Sequence, residues 1–314
     1  MTRYLVTGGA GFIGSHLAET LSGQGHHVRV LDNFSTGKRE NLATFQNRIE
    51  LVEGDITRFE DVRQAMDGVE IVFHQAAVPS VPKSIDDPLG SNRASVDGTL
   101  HVLLAARDAR AKRVMYASSS SVYGDQAPDV AKVETMTPQP ISPYAVAKLA
   151  AEHYCQVFYH VYGLETVCLR YFNVFGPRQD PDSAYAAVIP RFATAILSGG
   201  RPSIYGTGEQ TRDFTYIGNV VAGNILASTA PVDQVAGETF NLAAGGQTSL
   251  NTLMEMLQEI TGINVTPEYA PTRPGDILHS RADISKAERH MKYLPTISLL
   301  EGLRQTVGAY RPRP

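Results

Sequence analysis

One strand–turn–helix passage at the start of the chain limits its fold more than any other feature. Tyr4-Leu5-Val6 is short and apolar. It runs into Thr7-Gly8-Gly9-Ala10-Gly11-Phe12-Ile13-Gly14, and a helical pattern from Ile13 to Ser22 begins at once. Gly8, Gly11 and Gly14 lie in G-x-x-G-x-x-G spacing. Glycines at those places permit a tight turn, admit a pyrophosphate against the backbone and let the helix pack closely on the strand. The helix start then offers free N–H groups to the phosphates. An ordinary glycine turn has the same look when taken alone. Asp32, ending the next strand pattern Val28-Arg29-Val30-Leu31, makes it more specific. Its carboxylate can accept hydrogen bonds from the adenosine ribose and would repel the extra phosphate of NADP, so NAD is expected. Lys38 and Arg39 lie beyond the Ser35-Thr36-Gly37 turn and read as solvated. Asp55, in Gly54-Asp55-Ile56, either meets the adenine amino group or only closes a turn.

Further strand patterns follow at Ile49–Val52, Ile71–Phe73 and Arg113–Ala117, with helical stretches such as Gly98 to Arg107 between several of them. Such alternation implies right-handed crossovers and a doubly wound α/β fold. Its parallel Rossmann sheet should carry the ligand at the carboxyl ends of its strands. After Asn173 the pattern shortens, punctuated by Pro177, Pro181, Pro190 and Pro202, with a late helix from Leu250 to Ile260. With 314 residues, two unequal domains are expected. Residues 1–172 read as the NAD-binding domain, with later segments returning to it; 173–314 read as a smaller mixed α/β, mainly substrate-binding domain. The net charge of −4 argues against a nucleic-acid partner. Phosphates must be held by local arginines and amides. Cys155 and Cys168 lie in apolar segments and are expected as buried thiols in a reducing compartment. No charged-then-apolar leader opens the sequence and no apolar run could span a bilayer, so no membrane partner and a cytoplasmic protein are expected. No metal site is expected.

Tyr144 and Lys148 stand four apart, on one face of a helix. A phenol is a weak base at its ordinary pKa of about 10. An ammonium ~4 Å away contributes about 4 kcal/mol at an effective dielectric near 20, which would bring the phenol towards neutrality as a general base. Alone, the pair fits a surface contact equally well. Ala117-Ser118-Ser119-Ser120-Ser121-Val122-Tyr123-Gly124, at a strand end, supplies a hydroxyl where a doubly wound sheet presents its reactive groups, unless the serines only form a turn.

These residues resemble the extended short-chain dehydrogenase/reductase family, and within it the UDP-hexose 4-epimerases, along essentially the whole chain. The resemblance rests on Thr7–Gly14, His74-Gln75-Ala76-Ala77, Ser118–Gly124, Pro143–Lys148, Leu169–Gly176, Gly208–Phe214 and Arg273-Pro274-Gly275-Asp276. It implies Ser119, Tyr144 and Lys148 as catalytic, with Ser120 assisting. It implies a cofactor set of Gly8, Gly11, Phe12, Ile13, Asp32, Asn33, Ser35, Thr36, Gly37, Asp55, Ile56, Gln75, Ala76, Ala77, Ala117, Tyr144, Lys148 and Tyr171. For the UDP-sugar, Asn173 and Gln179 would contact sugar and diphosphate. Arg212 and Arg273 would clamp the diphosphate, with Asp276 beside Arg273. Ala187, Val188, Ser203 and Tyr205 would line the uridine pocket. Ser280 would face the sugar, where a tyrosine is associated with epimerases restricted to UDP-glucose and UDP-galactose. Ser80 joins Gln179 as a candidate partner for an acetamido group. Pro79 replaces a frequent glycine, and Ser95 stands where many members have asparagine.

The implied reaction is inversion at C4 of a UDP-hexose through a transient ketone, with NAD retained. UDP-glucuronate 4-epimerisation is the near alternative. A nucleotide-sugar 4,6-dehydratase needs an Asp-Glu pair where Ser120 and Ser121 stand. An NAD-binding regulatory module could dispense with the Tyr-Lys pair. A homodimer is expected from apolar stripes over Val96–Arg107 and Tyr144–Val161, illustrated by Ala147, Ala150, Ala151, Tyr154 and Phe158.

Overall fold

The computed structural model describes residues 1–78, 80–126, 130–181, 187–272 and 278–311. Strands β1 (Arg3–Thr7), β2 (His27–Asp32), β3 (Ile49–Glu53), β4 (Ile71–His74), β5 (Arg113–Ser119) and β6 (Glu165–Tyr171) form one parallel sheet. A later strand, Glu238–Leu242, adds parallel to β6, giving the order Glu238–Leu242, β6, β5, β4, β1, β2, β3. The order reverses between β1 and β4, and an open sheet of this kind receives its ligand at the carboxyl ends beside that switch.

The first-half helices are α1 (Phe12–Gly23), α2 (Phe59–Ala65), α3 (Val81–Asp86), α4 (Pro88–Asn92), α5 (Gly98–Asp108) and α6 (Pro143–Tyr162). Alternate strand side chains feed two cores, as the period of two requires. Leu5, Leu31, Val72, Val114 and Cys168 pack with Val62 of α2, Val102 of α5 and Ala151 of α6. Tyr4, Val6, Val30, Phe73, Met115 and Leu169 pack on the other face with Leu17 of α1 and Val220 of the helix Ile217–Thr229. Cys155 and Cys168 are buried and unbonded. No helix among the described residues is long and apolar enough to cross a membrane.

The outer stripe of α6 differs from the expected one. Ala147, Ala151 and Phe158 turn inward, at 3%, 0% and 5% exposure, because they supply the contact with the sheet. Of the expected stripe Tyr154 faces outward, joined there by Val146, Val157 and Val161.

Helix α6 has clear ends. Ser142 Oγ accepts the Ala145 N–H at 3.2 Å and Pro143 opens the first turn, a favoured pair of start signals. Gly163, at φ 70°, closes the helix. In between, Glu152 accepts two hydrogen bonds from Arg170 of β6, at 2.9 and 2.7 Å, and one from Ser118 of β5. All three residues are buried.

The second half is built from short pairings. Thr211–Arg212 lies between Thr248–Ser249 and His279–Ser280; Ser203–Tyr205 pairs with Glu268–Ala270, and Val174–Phe175 with Thr215–Tyr216.

His74, at the end of β4, is buried between two hydroxyls. Thr99 Oγ1 donates to Ser95 O at 2.6 Å, so it accepts from His74 Nε2–H at 3.0 Å. Nδ1 then accepts from Thr7 Oγ1 at 2.7 Å, and Thr7 Oγ1 accepts the Ala76 N–H at 3.3 Å. Burial, with Lys148 nearby, lowers the imidazole pKa to about 3, against about 6.5 in an unfolded chain. The unfolded chain therefore binds the extra proton between those values, and stability falls as pH drops below about 6.5. Urea unfolding at about pH 7 and pH 5 checks this: the wild type should lose about 2 kcal/mol more than His74→Gln. Equal losses would remove His74 from the pH dependence.

Candidate active site

The glycine turn meets the steric demands of a dinucleotide. Gly8, at φ 67°, lies against Ala76, so that a Cβ there would sit 2.7 Å from the Ala76 backbone. A Cβ on Gly14 would sit 2.2 Å from Gly8 O. Only glycine fits either place. Gly11 caps α1 without a side-chain hydrogen bond, and no acid lies in the first turn. The first N–H groups of α1, at Phe12 and Ile13, are thus left for an anion.

Asp32 is buried at the end of β2, accepting from Ala10 N at 2.9 Å and Phe34 N at 2.8 Å. Burial raises its pKa, against those two amides. Gly37 passes within 2.8 Å of its carboxylate, measured from where a Cβ would be. Asn33 donates to Asp55 Oδ2 at 2.8 Å, and Asn33 Oδ1 accepts from Ser35 N at 3.0 Å. Ser35 and Thr36 are exposed. Asp55 also accepts from Thr57 N; burial raises its carboxyl, but Thr57 and Asn33 outweigh it, and the pKa is lowered. The Ile56 side chain joins the core against Gly98. The cations near this edge are engaged by acids, Lys38 by Asp180 at 3.2 Å and Arg39 by Glu53 at 2.5 Å. The set fits NAD.

The groups expected to react stand at the ends of β5 and α6. The Ser119 hydroxyl lies beside the Tyr144 phenol, near enough to oppose the rise in its pKa. Ser119 Oγ accepts from Ser121 Oγ at 2.9 Å. The serine that touches it is therefore Ser121, while Ser120 opens the 3-10 turn Ser120–Tyr123. Lys148 is buried; its Nζ donates to Ala117 O at 2.7 Å and lies 5.8 Å from the Tyr144 ring centre. Burial lowers the Lys148 pKa to about 8, against the carboxylate of Glu152.

The expected lowering of the Tyr144 pKa by its lysine is not what this geometry gives. Burial raises the phenol, with Ser119 opposing, because the ammonium is directed at Ala117 O and not at the phenol oxygen. Gln75, Tyr171 and Asn224 form a neighbouring network: Tyr171 Oη donates to Asn224 Oδ1 at 3.0 Å, and Gln75 Nε2 donates to Tyr171 Oη at 3.1 Å. Ala77 lies next to it, half-buried.

A cavity of about 250 Å³ opens in the second half. Asn173, Ala187, Val188, Ser203, Tyr205 and Arg212, all expected to meet the UDP-sugar, line it together. Gln210, Phe214 and Arg191 line it too and were not foreseen. Ser280 is buried beside this wall, paired with Arg212 across two short strands. Gln179 is not a lining residue; its Nε2 donates to Val174 O at 3.1 Å, and its Oε1 is buried without a partner among the described residues. Ser80 caps α3 by accepting from Lys83 N. In the same helix Ser84 Oγ accepts the Tyr144 N–H at 3.0 Å, a link that no motif indicated. Arg273 and Asp276, with Pro79, lie outside the described residues.

The chain is similar to known proteins along nearly all of its length. The UDP-glucose 4-epimerase of Mycolicibacterium smegmatis is 37% identical, with 98% of each chain covered. The structure of the UDP-N-acetylglucosamine 4-epimerase from Methanobrevibacter ruminantium, in complex with UDP-N-acetylmuramic acid, is 40% identical with a TM-score of 0.92, covering 98% of both. The UDP-glucuronic acid 4-epimerase from Bacillus cereus, in complex with UDP-glucuronic acid and NAD, is 34% identical with a TM-score of 0.90, again covering 98% of both. The model of the NAD dependent epimerase/dehydratase family matches residues 4–243. This chain belongs to that family and uses NAD as its cofactor.

Proposed function

We propose that this protein epimerises UDP-hexoses at C4, acting on UDP-glucose and UDP-galactose and on their N-acetylated counterparts. The observation that carries the proposal is the Ser119–Tyr144 hydroxyl pair over buried Lys148, set beside a glycine turn fit for NAD. The chemistry NAD supplies when bound is reversible acceptance of the C4 hydride. Tyr144 takes the proton of the C4 hydroxyl, and Ser119 holds the sugar oxygen and relays that proton. With a pKa of about 8, Lys148 keeps its charge at neutral pH. Burial raises the Tyr144 pKa and Ser119 lowers it; the positive nicotinamide that NAD would bring when bound would add to that lowering, so that Tyr144 takes the proton as a phenolate. The cavity holds the nucleotide, leaving the flat 4-keto sugar free to turn and present its other face. Retention of the cofactor follows, because the cycle returns the hydride.

Dehydration needs an acid and a base next to the catalytic hydroxyl. Here Ser121 donates to Ser119, which disfavours that alternative. Epimerisation of UDP-glucuronate would use the same groups with another sugar contact. We assign the exposed stripe Val146, Tyr154, Val157 and Val161 to a homodimer contact; a monomeric mass by light scattering at micromolar concentration would refute it.

The purified protein, without added NAD, should interconvert UDP-glucose and UDP-galactose and release NAD(H) on denaturation. Tyr144→Phe should lose about 10²–10⁴-fold in rate, as removal of a general acid–base does, with NAD still bound. A near-normal rate would remove Tyr144 from the mechanism. Ser280→Tyr should suppress UDP-N-acetylglucosamine turnover and spare UDP-glucose, because overpacking costs about 1–3 kcal/mol. An equal loss of both activities would show that Ser280 is not the gate.

A further inference from the structure

Asp213 is fully buried between two lining residues of the cavity, Arg212 and Phe214. Its carboxylate accepts from Ala244 N at 3.0 Å, Gly245 N at 3.0 Å and Ala282 N at 3.2 Å. The Gly246 N–H also reaches it, and its own carbonyl accepts from Asn173 Nδ2 at 3.3 Å. Among the described residues no cation forms an ion pair with it. A buried carboxylate held by amides alone, with no cation beside it, is an expensive arrangement. It joins three segments that lie far apart in sequence: the loop after Glu238–Leu242, the stretch following Ser280, and Thr211–Phe214. Thr211–Phe214 carries two lining residues of the cavity, and Thr248–Ser249 and His279–Ser280, which adjoin the other two segments, pair with it.

We propose that Asp213 is a positioning residue: as an acceptor-only carboxylate it holds the cavity wall in register for the UDP-sugar, and its ionised form is required for tight binding. The inference rests on the UDP-sugar function proposed above. An asparagine cannot replace the carboxylate, because its NH₂ would face the N–H donors. Burial, opposed by the four amides, raises the Asp213 pKa to about 6, so the wall is expected to loosen below that pH. The other charged or titratable groups around it are Arg212 on its own segment, Tyr293 beneath it, Arg281 and Asp283 flanking Ala282, Lys132 paired with that strand, and His279, which bonds Thr211.

The test is calorimetric titration of the NAD-bound enzyme with UDP-glucose, beside steady-state kinetics. UDP-glucose suits the purpose because its diphosphate diester carries no proton that titrates between pH 5 and 7. Asp213→Asn should weaken binding at least about tenfold and raise KM in step, with kcat changed less than about threefold and NAD retained. Wild-type affinity should fall about tenfold from pH 7 to pH 5, with the same fall in His279→Gln. If Asp213→Asn does not fold, the wild-type and His279→Gln titrations decide alone. Unchanged affinity in Asp213→Asn, a flat wild-type profile, or loss of the inflection in His279→Gln would overturn the proposal. A wild type that retains NAD but binds no UDP-glucose would overturn the proposed function instead.

Discussion

The buried pair between Glu152 and Arg170, with Ser118 donating to the same carboxylate, is the contact on which the reactive geometry depends. It ties α6, which carries Tyr144 and Lys148, to β5, which carries Ser119, and both to β6. Two desolvated charges are tolerable there because the guanidinium fork meets both carboxylate oxygens and the serine meets one of them again. Removing either partner would strand a charge in the interior, where such breaks cost about 3–5 kcal/mol. One turn earlier, Lys148 lies under the influence of the same carboxylate. The ion pair thus fixes both the place of the reactive hydroxyls and the charge beneath them.

Two kinds of construction meet at the site. The cofactor half rests on long, parallel strands whose backbone order is set by the sheet. The half proposed to hold the nucleotide rests on two- and three-residue pairings, which cannot hold a wall by ladder hydrogen bonds alone. Side chains take over that work: Asp213 gathers N–H groups from separate segments, and Gln179 ties back to Val174. A rigid cofactor floor and a side-chain-stapled nucleotide wall suit a reaction in which the sugar must turn while its diphosphate does not.

Much of the sheet is legible in the sequence because its strands are short, apolar and bounded by turns, and because Gly8 and Gly14 have no sterically possible replacement. The spacing of Tyr144 and Lys148 places both on one helix face. It does not say where the ammonium points, so the expected net lowering of the phenol is absent: burial raises it, and Lys148 is directed at Ala117 O. The strand Glu238–Leu242 is hidden, since its sheet partner β6 is distant in sequence and its pattern is brief. Ser84, Asn224 and Asp213 carry no motif either. Their roles arise from contacts over 60, 53 and up to 69 residues of separation. Likewise the outward stripe of α6 could not be separated from its inward one until the sheet contact was known.

In the proposed reaction the hydride leaves C4 and returns to C4 of the same sugar within one site. Incubation of the purified protein with UDP-glucose deuterated at C4, with unlabelled NAD in the medium, tests it directly. The account predicts UDP-galactose that keeps its deuterium at C4, with none in the free NAD pool. Loss of the label to the medium or to free NAD, or accumulation of a ketone without epimer, would contradict it.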